Sequence, residues 1–324
     1  MRVAADRATP PSPSITQSSD EPSGGCDRQG DSAGARRFVA LNALVRAIRL
    51  ASSNAGGLGV LALILVSNWI GIDLTGLAGA FDQGGSGAQQ EEALDECRTG
   101  ADANASIDCR IAGAADSLDE YWSGVFREQG LEYRTVEGLY LFSGATPTAC
   151  GTGQTGMGPF YCPEDESIYM DTAFFDALEA EARTEIGPLA QMYVVAHEWG
   201  HHVQRIGGIM TADLDLRDTG PLSDSVRLEL QADCFAGSWV AAASSTTDAA
   251  GVPLLVPPTT QELADALGAA RIVGDDFIQR EMGAGRVNPE AWTHGSSESR
   301  TRWFTTGYEQ GMGACTTFDP GARL

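Results

Sequence analysis

The feature that most constrains this chain is a cluster of histidines: three of its four histidines lie within residues 197–202. The surrounding segment reads V-V-A-H-E-W-G-H-H-V-Q, with apolar residues on both sides of the polar ones. This pattern predicts a largely buried helix, on which residues four positions apart lie one turn apart on the same face. Because titratable side chains are costly to bury alone, we expect His197, Glu198 and His201 to have partners there.

The spacing of these three residues is H-E-x-x-H. Two imidazoles one turn apart can bind a single Zn²⁺, and the glutamate beside the first can reach a water molecule on that metal. Zinc lowers the pKa of its water towards neutrality, and the carboxylate accepts the proton. The pattern predicts one Zn²⁺ per chain, with His197 and His201 as ligands and Glu198 as general base. The alternative is a chance match on a helix, which the predicted burial disfavours.

The third zinc ligand must come from elsewhere, because a catalytic zinc usually has three protein ligands. The longer metzincin motif requires glycine at 204 and histidine at 207, but this chain has Gln204 and Gly207. Glu229 and Asp233 lie four residues apart in the segment Ser225–Trp239, and so share one face of the helix predicted there. Glu229 is the predicted third ligand, and Asp233 is predicted to accept the spare N–H of a ligand histidine. The alternative, an ordinary acidic helix face, conflicts with the apolar neighbours.

Two histidines remain. His202 points about a quarter-turn away from His201, so we expect a hydrogen-bonded or partly exposed residue rather than a ligand. The oxyanion of a tetrahedral intermediate needs a hydrogen-bond donor, and His294 is the predicted catalytic donor, with Tyr169 and Arg300 as rivals. The alternative is that His294 caps the helix predicted to begin near Ser296.

The N-terminal part of the chain is organised differently from the rest. Residues 1–49 are predicted to be a disordered cytoplasmic tail with a basic juxtamembrane segment. The uncharged run Ala51–Ile72 is long enough to cross a bilayer, so 50–73 is predicted as a transmembrane helix. Arginines precede it and acidic residues follow it, which places the N-terminus in the cytoplasm. A Gly-rich linker, 74–90, leads to an extracytoplasmic domain, 91–324. A cleaved signal peptide or a buried helix are the alternatives.

This topology separates the seven cysteines. Cys26 lies in the predicted tail, and the other six lie in an oxidising compartment, where an even number favours three disulfides. Sequence alone permits fifteen pairings, and buried thiols are the alternative. Nearness along the chain favours the pairs Cys97–Cys109 and Cys150–Cys162, which leaves Cys234 with Cys315.

Charge excludes one class of partner. The formal net charge is −23, and it comes from residues 91–324, because residues 1–90 contain equal numbers of arginines and acidic residues. Such a domain repels phosphate backbones, so nucleic acid is not an expected partner.

The domain from about residue 91 is predicted to be α+β and mainly helical, with a small β-sheet. Ser167–Asp171 is predicted as an edge strand that could pair with an extended peptide. The G-x-G-x-x-G of Gly151–Gly156 does not open a helix, so it predicts a disulfide-closed loop rather than a dinucleotide site. Strands are expected near 131–142 and 167–170, and helices near 115–128, 172–185, 188–206, 222–244, 260–281 and 296–311.

Four segments, taken in order, resemble the bacterial neutral zinc metallopeptidase family. That family is similar to gluzincins, in which H-E-x-x-H is joined by a downstream E-x-x-x-D. The resemblance covers about Cys97 to Thr316 and, more loosely, the membrane segment. It implies His197, His201 and Glu229 as ligands and Glu198 as base. The segments are AHEWGHHVQ, RLELQADCFAG, GPFYCPEDESIYMD and THGSSESRTRWFTTGY.

Residues and resemblance together predict a zincin-like metallopeptidase, anchored in the bacterial cell membrane by one helix. It would hydrolyse peptide bonds of peptide or protein substrates outside the cytoplasm. The alternative is a catalytically inactive binding or scaffold protein of the cell envelope with a structural zinc. Zinc-dependent hydrolysis of a non-peptide amide is a third possibility. The sequence carries no indication of the oligomeric state.

Overall fold

A computed structural model describes Arg2 and Val3 and then residues 97–182, 186–248, 250–283 and 285–324. All of these described residues belong to one compact unit. The predicted tail, transmembrane segment and linker therefore lie outside the described residues, apart from Arg2 and Val3. No helix in the described part of the chain has the length and apolar character needed to cross a membrane.

Helices make up most of the regular structure, as predicted. Ser223 and Ser296 accept hydrogen bonds from backbone N–H groups of the helices that follow them, so both are N-caps. The helix predicted at 115–128 begins earlier, at Ile107. The helices are α1 (Gly100–Ala105), α2 (Ile107–Glu128), α3 (Thr172–Ala182), α4 (Pro188–Ile206), α5 (Asp224–Ala242), α6 (Thr260–Ile272) and α7 (Ser297–Gln310).

The prediction of a single helix over 260–281 is wrong. It ends at Ile272, and a short turn, Asp275–Phe277, continues as a wider π-helical turn, Ile278–Met282. Gly274 at the break lies against Ser297, and a Cβ there would come within 2.5 Å of the Ser297 nitrogen. The Asp275 amide donates to the carbonyl of Gly295 at 2.9 Å. Contacts with the loop before α7 therefore interrupt the helix.

The sheet is small and mixed. Its strand order is β1-β5-β4, with β1 and β5 parallel and β4 and β5 antiparallel. The strand predicted near 131–142 begins only at Gly138. The strands are β1 (Gly138–Phe142), β2 (Ala145–Thr148), β3 (Gly151–Gln154), β4 (Phe160–Cys162) and β5 (Ser167–Asp171), with β2 and β3 forming a separate antiparallel pair.

The prediction that Ser167–Asp171 is an edge strand is wrong. This segment is β5, which is hydrogen-bonded on both sides and buried throughout. Among the described strands of this sheet, β1 and β4 lie at the two edges instead. Strand order depends on pairing between distant segments, which an alternation pattern within one segment does not determine.

Helix α4 lies in the centre of the helical layer and packs against α2, α5 and α6. Gly200 permits close contact with α5, because a Cβ at this position would lie only 3.0 Å from the Ala232 Cα. Gly237 and Gly307 do the same between α5 and α7, where a Cβ on either would collide with the backbone of the other helix. These glycines bring the backbones of three helices close together around the site described below.

All three predicted disulfides are present: Cys97–Cys109, Cys150–Cys162 and Cys234–Cys315. The second disulfide closes the segment that contains β3 (Gly151–Gln154). The predicted disulfide closure of the G-x-G-x-x-G sequence is therefore confirmed, but Gly151–Gln154 forms a strand there rather than an irregular loop. The third ties α5 to the C-terminal turn after α7.

Candidate metal centre

Helices α4 and α5 bring the three predicted ligands together. The Nε2 atom of His197 lies 3.1 Å from Oε2 of Glu229, and Nε2 of His201 lies 3.3 Å from Oε1 of the same carboxylate. One ligand atom from each residue lies within 4.8 Å of the other two. Two imidazole nitrogens and a carboxylate oxygen form the donor set of many catalytic zinc sites, so the residues present fit Zn²⁺.

His197 is held from behind by Asp233, as predicted from the sequence. Its Nδ1–H donates to Oδ1 of Asp233 at 2.9 Å. That hydrogen bond fixes the tautomer and leaves the Nε2 lone pair for a metal. Burial lowers the pKa of His197, but the carboxylates of Asp233 and Glu229 raise it to about 10.

Asp233 is itself fully buried and is surrounded by donors. Arg300 donates to both of its oxygens, from Nε at 2.8 Å and from Nη2 at 3.0 Å. The hydroxyl of Tyr193 donates to it at 2.5 Å. Burial alone would raise the pKa of Asp233, but the charge of Arg300 and the ring of His197 hold it below its ordinary value. Asp233 therefore remains a carboxylate in an otherwise apolar interior.

Arg300 was one of the candidate oxyanion donors in the sequence, but it does not face the cleft. Only 4% of its side chain is exposed, and its Nη1 lies 3.8 Å from Oε2 of Glu229. The guanidinium thus lies behind the ligands and contacts the carboxylates of Glu229 and Asp233. Sequence analysis missed this role, because nothing in the local pattern of α7 points towards α5.

His201 has a different support. Its Nδ1 lies 2.9 Å from Oε1 of Gln204, one turn further along α4. The Nε2 of Gln204 donates to the carbonyl of Leu228 at 2.8 Å and to Gln231. These bonds fix the orientation of the Gln204 amide, so that its Oε1 accepts a hydrogen bond from the Nδ1–H of His201. The Nε2 of His201 is then free to face Glu229. Gln204 was missed in the sequence, although its position three residues after His201 was a usable signal.

His202 lies outside the ligand set, as expected, and it is fully buried. Its Nε2–H donates to the carbonyl of Arg134 at 2.8 Å, and its Nδ1 accepts from the hydroxyl of Tyr161 at 3.2 Å. Burial lowers the pKa of His202, which agrees with a neutral ring. This histidine connects α4 to the edge strand β4.

A cleft of about 270 Å³ opens beside the ligands. His201 and Glu229 line one part of it, and His294 lies in the same cleft. Tyr169 does not line it, because its hydroxyl donates to Asp165 at 2.9 Å and its ring stacks in a cluster on the sheet. Of the three proposed oxyanion donors, His294 alone faces the cleft. The remaining walls include Tyr161, Pro163, Met210, Leu216 and Leu228.

Asp275 orients His294 and was missed in the sequence. Its Oδ2 accepts the backbone N–H groups of Thr293, His294 and Gly295 at 2.8, 2.6 and 2.8 Å. Its Oδ1 lies 3.3 Å from Nδ1 of His294. Burial would lower the pKa of His294, but the Asp275 hydrogen bond and the Glu229 charge raise it. The cap of α7 is Ser296, so His294 is not needed for capping.

Fold and site together define an α+β protein whose H-E-x-x-H helix is completed by a glutamate from a second helix. The family model described as "Putative neutral zinc metallopeptidase" matches residues 24–318. The chain belongs to this family. Zinc is implied by the family's description.

Relatives with high identity carry no assigned activity. Uncharacterized protein Rv2575 of Mycobacterium tuberculosis is 44% identical over 227 residues, which cover 69% of this chain and 75% of that protein. Uncharacterized protein YpfJ of Escherichia coli is 37% identical over 271 residues, or 82% and 88% of the two chains. No solved structure matches the chain.

Proposed function

We propose that this protein is a zincin-like, zinc-dependent metallopeptidase that hydrolyses peptide bonds outside the cytoplasm, with one zinc ion per chain. The observation that carries the proposal is the convergence of His197, His201 and Glu229 within 4.8 Å, with Glu198 next to the first ligand on α4. Among the described residues three ligand atoms converge and not four, whereas a structural zinc site is usually closed by four protein ligands.

Zinc and Glu198 have different proposed roles in the reaction. A bound zinc ion would supply a Lewis acid for the scissile carbonyl and would acidify a water molecule. Glu198 accepts the proton of the attacking water and passes it to the leaving amine. Only 7% of Glu198 is exposed, and burial raises the pKa of its carboxyl group. A raised pKa suits a group that must both accept and release a proton near neutral pH.

His294 is the proposed donor to the oxyanion of the tetrahedral intermediate. It lies in the cleft with His201 and Glu229, and its Nδ1 lies 3.0 Å from the hydroxyl oxygen of Thr293 and 3.3 Å from Oδ1 of Asp275. In the protonated ring, which the raised pKa of His294 favours, both nitrogens carry a hydrogen. The Nε2–H is then available for a developing negative charge, and a donor held in place before the reaction needs no reorganisation.

The proposed substrate is an extended peptide that pairs with β4. This strand is an edge among the described strands, and its central residue, Tyr161, lines the cleft. The Tyr161–His202 hydrogen bond holds β4 against α4. An unpaired strand edge beside the ligands supplies main-chain hydrogen bonds that fix the scissile bond in place.

The side-chain preference of the cleft is proposed to be apolar. Met210, Leu216 and Leu228 line the cleft beside the ligands, and Leu216 is half exposed although it is a large apolar residue. Burying an apolar substrate side chain there would remove both surfaces from water.

The extracytoplasmic location rests on the cysteines. All six cysteines among the described residues are paired in disulfides, and such pairs persist in oxidising compartments. Anchoring through 50–73 in the bacterial cell membrane stays a prediction. Full-length protein that is extracted from membranes only by detergent would support it, and extraction by high salt alone would contradict it.

The decisive experiment compares the full-length chain with Glu198→Gln. The control is Glu309→Gln, which changes an exposed glutamate at the end of α7. We expect near-stoichiometric zinc in all three proteins. Cleavage of an unfolded protein should fall by about 10²-fold or more in Glu198→Gln only, because general-base catalysis contributes roughly that much. Equal cleavage by Glu198→Gln would refute the mechanism.

The same measurements test the alternative of an inactive binding or scaffold protein. Stoichiometric zinc without cleavage by the wild-type chain would favour that alternative. A wild-type chain that binds no zinc would refute the proposed function as a whole.

A further inference from the structure

The N-terminal residues Arg2 and Val3 lie on the same folded unit as the metal centre. Val3 forms an antiparallel bridge with Leu255, and the amide of Val256 donates to the carbonyl of Arg2 at 2.9 Å. Only 2% of Val3 is exposed, which makes it part of the main hydrophobic core. Two residues far from the domain in sequence therefore pair with it through an isolated β-bridge.

The other side of Val3 is also satisfied. Oδ1 of Asn104 in α1 accepts a hydrogen bond from the Val3 N–H at 3.1 Å, and Nδ2 of Asn104 donates one to the Val3 carbonyl at 2.9 Å. One asparagine side chain thus reproduces both hydrogen bonds that a neighbouring strand would make. A backbone recognised on both edges is typical of an extended segment bound in a built groove.

The floor of this groove is shaped for the valine side chain. A Cβ at Gly113 of α2 would lie 3.0 Å from Cγ2 of Val3 and 3.6 Å from the Cβ of Ala103. Two small residues on neighbouring helices therefore leave the space that Val3 fills. Main-chain bonds and an apolar pocket together select an extended segment with a small branched side chain.

We infer that α1, α2 and residues 255–256 form a binding site for the segment Arg2–Val3, and that this segment lies in the same compartment as the metal centre. The single transmembrane helix predicted at 50–73 would place Arg2–Val3 in the cytoplasm and residues 91–324 outside. A bilayer would then separate Val3 from Leu255, so this contact and a single membrane crossing at 50–73 exclude each other in one molecule. The inference is independent of the proposed peptidase activity.

A pair of engineered cysteines tests this contact in the full-length chain. Because the Val256 amide donates to Arg2, Val3 and Leu255 form a non-hydrogen-bonded pair, with Cα atoms about 4.5 Å apart and side chains on one face. That spacing is within the range of disulfides. Cys26→Ser is included throughout, because it removes the remaining native thiol.

We expect Val3→Cys/Leu255→Cys to form a disulfide between positions 3 and 255, identified by peptide mapping. The matched control is Val3→Cys/Val256→Cys, since neighbouring residues on a strand point to opposite faces and Val256 is 40% exposed. Equal yields in both pairs, or no disulfide in folded protein, would overturn the inference.

Val3→Cys alone provides a second measurement that leaves Leu255 intact. In cells, a thiol at position 3 should react with maleimide about tenfold more slowly than in denatured protein, because its reaction requires local opening. Adding Gly113→Leu, which fills the groove and suits a helix interior, should restore fast reaction with an impermeant reagent applied from outside. A thiol that reacts fast in both variants, or only from the cytoplasmic side, would overturn the inference and support the cytoplasmic N-terminus.

Discussion

The two ligand histidines of α4 are supported by different chemistry. His197 donates to the carboxylate of Asp233, which is buried and held by Arg300. His201 donates to the neutral amide of Gln204, which is tied to the backbone of α5. A carboxylate both orients an imidazole and raises its basicity, whereas an amide mainly orients it. One side of the site depends on buried charge, and the other depends on geometry.

Removing the cation from the charged side should have the largest effect. In Arg300→Met the carboxylate of Asp233 stays buried without its main partner, which should lower the free energy of unfolding by about 3–5 kcal/mol. Urea unfolding of the zinc-free protein measures this. The control is Arg302→Met, where a more exposed ion pair with Glu298 is lost and we expect a change of about 1 kcal/mol or less. Equal effects would show that the buried position of Arg300 is unimportant.

The next effect concerns metal binding on the same side. Asp233→Asn keeps the shape of the side chain but removes its charge, so His197 becomes a weaker base. We expect zinc affinity to fall about 10–100-fold, measured by competition with a chromogenic chelator. Unchanged affinity would mean that Asp233 acts only in folding.

The neutral side should be less sensitive. Gln204→Leu removes the acceptor for His201 without removing a charge, and we expect zinc affinity to fall by about tenfold, the lower end of such effects. The same chelator competition gives the value. A loss larger than that of Asp233→Asn would reverse the proposed order of the two supports.

His294 provides the smallest and sharpest test, because it is backed by a carboxylate like His197 but has 48% of its side chain exposed. Its pKa is raised, so the protonated donor is present below the ordinary pKa of 6.5 and is lost as pH rises through the raised value. Activity that depends on the protonated ring should therefore fall as pH rises through the raised pKa of His294. In Asp275→Asn the basic limb of kcat/KM should move to lower pH. An unmoved limb would remove the Asp275–His294 pair from the mechanism.

Spacing within one helix was enough to predict the centre of the site. His197 and His201, and likewise Glu229 and Asp233, are four residues apart, and helix geometry alone places each pair on one face. The caps Ser223 and Ser296 are equally local. The disulfide pairs followed from nearness for two of them and from elimination for the third.

Features that depend on distant contacts were missed or wrong. The break after Ile272 occurs where Gly274 contacts Ser297. The central position of β5 results from pairing with β1 and β4. The contact between Val3 and Leu255 joins residues far apart in the chain. A local pattern carries no information about which distant segment will satisfy its backbone groups.

The sequence by itself predicted that His197 and His201, and likewise Glu229 and Asp233, share a helix face, because the i, i+4 geometry of a helix is fixed by local hydrogen bonds. It also determined the α+β class and the cysteines that pair. Only the tertiary structure decided that Arg300 lies behind the ligands and that Asp275 lies beside His294. Arg300 reaches the site through the packing of α7 against α5, and close helix contact at glycines such as Gly237 makes that packing possible. A buried charge needs a partner, and how distant segments pack decides which partner it meets. The sequence of any one segment does not show this.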